Sequence, residues 1–172
     1  VPFLPVHLLF INLVTDSLPA IAIGMERSTK DILKEKPRNP SVGILTPATM
    51  KQLGIQGILI AVVTMSAYFL GLKESWAIAT TMAFSTLCLS RLFHGFNCRS
   101  QRSLYRIGLF TNKYSILAFV IGFCFLNAIL LWQPLHSLFS VTTITMTQLF
   151  TIYGLALIPT ALIQLGRMLR HR

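Results

Sequence analysis

Asn12-Leu13-Val14-Thr15-Asp16-Ser17-Leu18-Pro19-Ala20 is the stretch on which the reading of this chain turns. It lies inside an apolar run from Phe3 to Met25, long enough to cross a bilayer as a helix. Asp16 stands in the middle of that run. A carboxylate at mid-membrane depth costs several kcal/mol unless it meets a partner or water, so it marks a functional position. Asn12, Thr15, Asp16 and Pro19 follow at i, i+3, i+4 and i+7, which predicts one face of an α-helix. That face carries an amide oxygen, a hydroxyl and a carboxylate, hard donors suited to a hard cation. Pro19 has no N–H for the Thr15 carbonyl and its ring crowds that carbonyl, so a backbone oxygen is expected to be freed beside the side chains. Broken helices of this kind are tolerated in membranes where they line a cavity or an ion site. The plainer alternative is a polar seam bonded to neighbouring helices, with the proline as a simple kink.

Composition places the rest of the chain around this helix. Of 172 residues, 53% are hydrophobic and 12% charged, the balance of a membrane protein rather than a soluble one. Five apolar segments can be drawn, at 3–25, 50–72, 75–97, 115–133 and 144–166, each about the length a bilayer requires. The predicted fold is an all-α membrane protein, a bundle of five transmembrane helices. The net charge of +10 would suggest nucleic acid in a soluble protein; in a membrane chain it orients helices, and no nucleic-acid partner is expected. Arg27, Lys30, Lys34, Lys36 and Arg38 fall between the first two segments, and Arg99, Arg102, Arg106 and Lys113 between the third and fourth. Arg167, Arg170 and Arg172 close the chain, while the two remaining loops carry only Lys73. The positive-inside rule therefore predicts a cytoplasmic C-terminus, with the first helix running from outside to inside.

Several smaller features follow. Gly54, Gly57 and Ala61 in the second segment could admit a close neighbour. The stretch from Arg99 to Lys113 mixes basic residues with Leu104, Tyr105, Ile107, Leu109 and Phe110, the composition of an element lying against anionic headgroups. Cys88, Cys98 and Cys124 have no metal-ligand spacing and are expected to pack as small apolar groups. Arg91 is the other charge in the interior of an apolar segment. Its helix rise places it about as deep as Asp16, some 9 Å from its own segment end against about 12 Å for Asp16. It either snorkels to the headgroups or points at the polar face of the first helix.

At these residues a family resemblance enters. Leu9-Phe10-Ile11-Asn12-Leu13-Val14-Thr15-Asp16-Ser17-Leu18-Pro19-Ala20 resembles the sixth transmembrane segment of P-type calcium pumps, which carry N-L-V-T-D-G-L-P-A there. Only Ser17 departs from that motif. Asp31-Ile32 and Pro37-Arg38 resemble the D-I-M…P-P-R stretch that follows in the family. The resemblance extends over residues 1–172 as the family's last five membrane segments, and is most specific in residues 2–40. It implies a C-terminal transmembrane domain of a pump exporting calcium from the cytoplasm, with Asn12, Thr15 and Asp16 as ion ligands and Pro19 shaping their helix. Aligning Thr81-Met82-Ala83-Phe84-Ser85 with the eighth segment puts Arg91 where two-site pumps carry a glutamate. An arginine cannot coordinate a cation, so the resemblance implies a modulating role for Arg91 and one calcium per cycle.

The same resemblance makes this chain the tail end of a larger protein. It has no D-K-T-G-T phosphorylation motif and no glycine-rich nucleotide loop, so no catalytic residue is assigned to it. ATP and magnesium are expected in missing cytoplasmic domains, and further ion ligands in the family's fourth and fifth segments. The expected setting is multi-pass, in a bacterial plasma membrane. Two alternatives stay open: a pump for another cation such as manganese or sodium, and a self-contained, non-enzymatic five-helix membrane scaffold.

Overall fold

A computed structural model describes residues 2–26, 45–100 and 104–170. The basic loop from Arg27 to Arg38, with its Asp31-Ile32 and Pro37-Arg38 pairs, lies outside the described residues, as do Arg102 and Arg172. Among the described residues, all regular structure is helical, and five helices are long and apolar enough to span a membrane.

The first, α1, runs Pro5–Gly24. Pro5 opens it at a position where a missing N–H costs nothing. The second, α2, runs Pro47–Leu72. It begins at Pro47 rather than at the apolar residue 50, because Thr46 is extended and its hydroxyl accepts the Thr49 amide at 3.3 Å. Next, α3 spans Trp76–Cys98, capped by the Ser75 hydroxyl on the Ile78 amide at 3.1 Å. A short α4, Leu104–Ile107, and a 3₁₀ turn, Leu109–Thr111, lead to α5 at Lys113–Leu131. The side chain of Asn112 caps α5, accepting from the amides of Tyr114 and Ser115. A short α6, Pro134–Phe139, precedes the last long helix, α7, at Met146–Arg170.

Helix α3 is the axis of the bundle. Two thirds of its most apolar window is buried, against about a fifth to a third for the others, and residues from Ala79 to Phe84 are all buried. A helix enclosed on every side must satisfy its own hydroxyls. Thr80 and Thr81 bond the Ala77 carbonyl, and Ser85 bonds the Thr81 carbonyl at 2.7 Å. Around it, Phe84, Leu89, Leu126, Ile129 and Ile152 are essentially inaccessible. In a bilayer this contact, rather than escape from water, is what holds helices together.

The close backbone approach between α2 and α3 sits elsewhere than expected. A Cβ on Gly54 or Gly57 would meet nothing within 4 Å, whereas one on Gly71 would lie 2.7 Å from Ala79 Cα. Gly71 therefore sets the α2–α3 hairpin, and the Gly54–Gly57 surface is left uncovered by described residues. Past α3, Tyr105 and Phe110 are 90% and 77% exposed, so the element expected at the headgroups does present its aromatic rings outward.

Candidate ion-binding site

Helix α1 is not α-helical throughout. Pro5–Phe10 and Ser17–Gly24 are α-helix, but Ile11–Asp16 between them is a π-helix. Pro19 cannot donate to the carbonyl four residues back, and the turns just before it widen. The Ser17 hydroxyl reaches back to the Asn12 carbonyl at 2.9 Å, a spacing of five residues that matches the wider turn. This corrects the expectation of a single α-helical face. Asn12 is exposed and Asp16 half-buried, while Thr15 is 2% exposed and donates its hydroxyl to the Ile11 carbonyl at 2.8 Å. The wide turn thus separates Thr15 from Asn12 and Asp16. Pro19 packs its ring on α3, where a Cβ on Gly95 would come within 3.2 Å of it.

Arg91 faces this turn. Its Nη1 donates to Asp16 Oδ2 at 2.6 Å, across 75 residues of chain. Snorkelling to the headgroups is not what the side chain does. The pair is 37% and 42% exposed on its two side chains, so it opens onto a face that the described helices leave uncovered. Asn12 lies four residues earlier on the same π-helical turn, with its side chain exposed. Among the described residues no group of three or more His, Cys, Asp or Glu side chains gathers to hold a metal. What the turn offers is one carboxylate, one amide oxygen and a fixed guanidinium, with space on the open side for other ligands.

Both ends of α1 are held by contacts that the sequence did not foretell, and Arg99, expected at the headgroups, is buried in one of them. At the N-terminal end, His7 is fully buried and stacks on Phe84 with ring centroids 4.4 Å apart. Its Nδ1 accepts the Leu4 amide, so Nε2 carries the proton and donates to the Phe139 carbonyl at 2.8 Å. At the other end stands Glu26, one residue past the last apolar position. Arg99 clasps it with Nε at 2.9 Å and Nη2 at 2.8 Å, a two-pronged bond made by a side chain with no exposed surface. Arg99 also donates to the Leu109 carbonyl and the Thr111 hydroxyl. Asn112 Nδ2 adds bonds to Glu26 Oε2 at 2.6 Å and to the Ala22 carbonyl at 2.9 Å. The Arg99 hydrogen bonds first, and Asn112 after them, hold the Glu26 carboxyl below its usual range against the opposing pull of burial. A histidine inside an apolar run and an asparagine just before one were the available signals; nothing local marks Glu26 or Arg99.

Cys88 is buried and Cys98 and Cys124 are exposed, all three free thiols. Asn97 joins α3 to α7 by bonding Gln164, and its carbonyl accepts from Arg167 at 2.9 Å.

The family model described as "Cation transporting ATPase, C-terminus" matches residues 1–169. The calcium-transporting ATPase of Bacillus subtilis (strain 168) is 35% identical over 165 residues, covering 94% of this chain and 18% of that protein. A calcium-transporting ATPase of Listeria monocytogenes is 42% identical over 123 residues, covering 71% of this chain and 14% of its own length. More distant is calcium-transporting ATPase type 2C member 1 of Homo sapiens, 27% identical over 160 residues. The chain spans about a fifth or less of the length of the curated relatives it matches.

Proposed function

The chain belongs to the cation transporting ATPase C-terminus family, and on that premise we propose that it forms the last five membrane helices of an ATP-driven calcium pump. In this reading residues 1–172 are one C-terminal transmembrane domain. ATP, magnesium and the phosphorylated aspartate belong to the cytoplasmic part of the full-length protein. The basic ends of α1, α3 and α7 face the cytoplasm, as the positive-inside rule requires, and the setting is a bacterial plasma membrane.

The observation that carries the proposal is the Asp16–Arg91 pair on the π-helical turn of α1. Asn12 and Asp16 supply hard oxygens to calcium. Thr15 contributes more weakly, because its hydroxyl is buried and bonded to its own helix. Two or three side-chain oxygens fall short of the six to eight that calcium takes, so the rest come from segments of the full-length pump on the open side. Arg91 has donors only and cannot coordinate the ion. Its guanidinium occupies one face of the Asp16 carboxylate and repels a second divalent cation, which supports transport of one calcium per cycle. The names of the relatives, all calcium-transporting ATPases, support calcium over manganese or sodium.

The test is Asp16→Asn in the full-length pump. Calcium-stimulated phosphoenzyme formation from ATP is expected to be lost, with no comparable rescue by manganese or sodium. Near-normal calcium affinity in that variant would refute the assignment.

A further inference from the structure

Hydroxyls on these helices return to backbone carbonyls, and one of them spans an unusual distance along its chain. Thr64, Ser66, Thr81, Ser85 and Thr151 each donate to the carbonyl four residues back, the reach that an α-helical turn allows. Thr15 does the same onto Ile11. Ser17 instead reaches five residues back, to the Asn12 carbonyl at 2.9 Å. On a regular α-helix a hydroxyl at this position would meet the carbonyl of Leu13. The Ser17 bond therefore belongs to the π-helical turn Ile11–Asp16, and it is lost if that turn tightens.

What the bond encloses matters more than its span. It joins the backbone of Asn12 to the residue directly after Asp16, so both side chains assigned to the ion lie within the ring it closes. Thr15 is tied separately, on the buried side of α1. The motif that this stretch resembles carries glycine at position 17, which has no hydroxyl to close such a ring and adds backbone freedom. Two ligands held in one frame before the ion arrives leave less to be ordered when it binds, and affinity rises accordingly.

We propose that Ser17 is a positioning residue of the ion site, whose hydroxyl fixes Asn12 and Asp16 relative to each other without itself touching calcium. The proposal rests on the calcium reading above and adds to it a residue outside the ligand set. The bond is neutral and Ser17 is exposed among the described residues, so it tunes the site rather than creating it. Losing one such hydrogen bond changes an equilibrium constant by about two- to five-fold.

Full-length pumps carrying Ser17→Ala, Ser17→Gly, Ser17→Thr or Asp16→Asn are compared with wild type by calcium titration of phosphoenzyme formation from ATP. Ser17→Ala is expected to raise the calcium concentration at the midpoint about two- to five-fold, with the phosphoenzyme level at saturating calcium unchanged. Ser17→Gly, which also lacks the hydroxyl, is expected to raise it at least as far. Ser17→Thr keeps the hydroxyl and is expected to keep the wild-type midpoint. A merely structural fault would lower the saturating level and leave the midpoint alone. A wild-type midpoint for the alanine and glycine variants would overturn the proposal, and so would a threonine variant shifted as far as they are. Asp16→Asn separates this role from the reading beneath it. Loss of its calcium response beside a wild-type midpoint for Ser17→Ala removes only the role of Ser17, whereas near-normal calcium affinity in Asp16→Asn refutes the calcium assignment and this role with it.

Discussion

Replacing Arg99 by methionine removes the guanidinium that ties the end of the ion helix to the rest of the bundle, while keeping most of the volume of its stem. The two prongs on Glu26, at 2.9 and 2.8 Å, are charge-assisted bonds from a side chain with no exposure. At about 1.5–3 kcal/mol each they sum to roughly 3–6 kcal/mol. Two effects reduce that figure. Glu26 is 21% exposed and partly regains water, and Asn112 remains bonded to it at 2.6 Å. Against this, the Leu109 carbonyl and Thr111 hydroxyl lose their donor. The expected loss for Arg99→Met is about 3–4 kcal/mol, within the range for breaking a buried pair. Glu26→Gln alone retains one acceptor and should cost about 2 kcal/mol, whereas the double variant leaves no stranded charge and should cost little more than Arg99→Met. The coupling energy is then about 2 kcal/mol. Reversible unfolding in mixed micelles of increasing dodecyl sulfate content, followed by tryptophan fluorescence, measures all four proteins. Additivity to within about 0.5 kcal/mol, or a loss under about 1 kcal/mol for Arg99→Met, would refute the clamp.

The same clasp carries a pH signature. Because Arg99 lowers the folded-state pKa of Glu26 below its ordinary 4.5, its stabilisation is complete above that value and is lost as pH falls through the lower folded one. The stability gap between wild type and Glu26→Gln should be flat from pH 7 to about 5 and shrink as pH falls below 4.5; a gap that stays constant through acid unfolding would contradict it. Gly71→Val should destabilise the hairpin by about 1–3 kcal/mol, since even its Cβ meets Ala79 Cα at 2.7 Å, and wild-type melting behaviour would exclude that contact. In the full-length pump, calcium counted per phosphorylation site is expected to be one; a count of two would show that Arg91 fills no ion position.

The long spans were legible because a bilayer demands unbroken apolar runs, and the ends that differed did so through capping. Thr46 and Pro47 extend α2 outward beyond the apolar run. The irregularity of α1 was announced by Pro19, but its form was not. Whether a helix breaks, kinks or widens depends on which groups its carbonyls bond, and here the Ser17 hydroxyl reaches the Asn12 carbonyl across the wider turn. Arg91 could be matched in depth to Asp16 by counting rise, yet depth does not give azimuth, and only the packing of α3 on the wide turn brings them to 2.6 Å. The pairing of Glu26 with Arg99 was hidden for another reason. Each sits at a segment end, where a lone charge is ordinary, and 73 residues separate them without any periodic pattern. Asn112 was the accessible clue, an N-cap residue ahead of an apolar run.

The two fastenings of α1 also fix when the helix can take its final position during synthesis. The carbonyl that receives His7 belongs to Phe139, 132 residues later. At roughly 5–20 residues per second, the ribosome adds that length in about 7–26 s. Glu26 waits for Arg99, 73 residues on, and then for Asn112, 86 residues beyond Glu26 itself. The helix bearing Asp16 therefore enters the bilayer early and stays loosely tethered while its neighbours arrive. Its C-terminal end is fastened first and its N-terminal end last, and the Asp16 carboxylate exists for some seconds before Arg91 has been made.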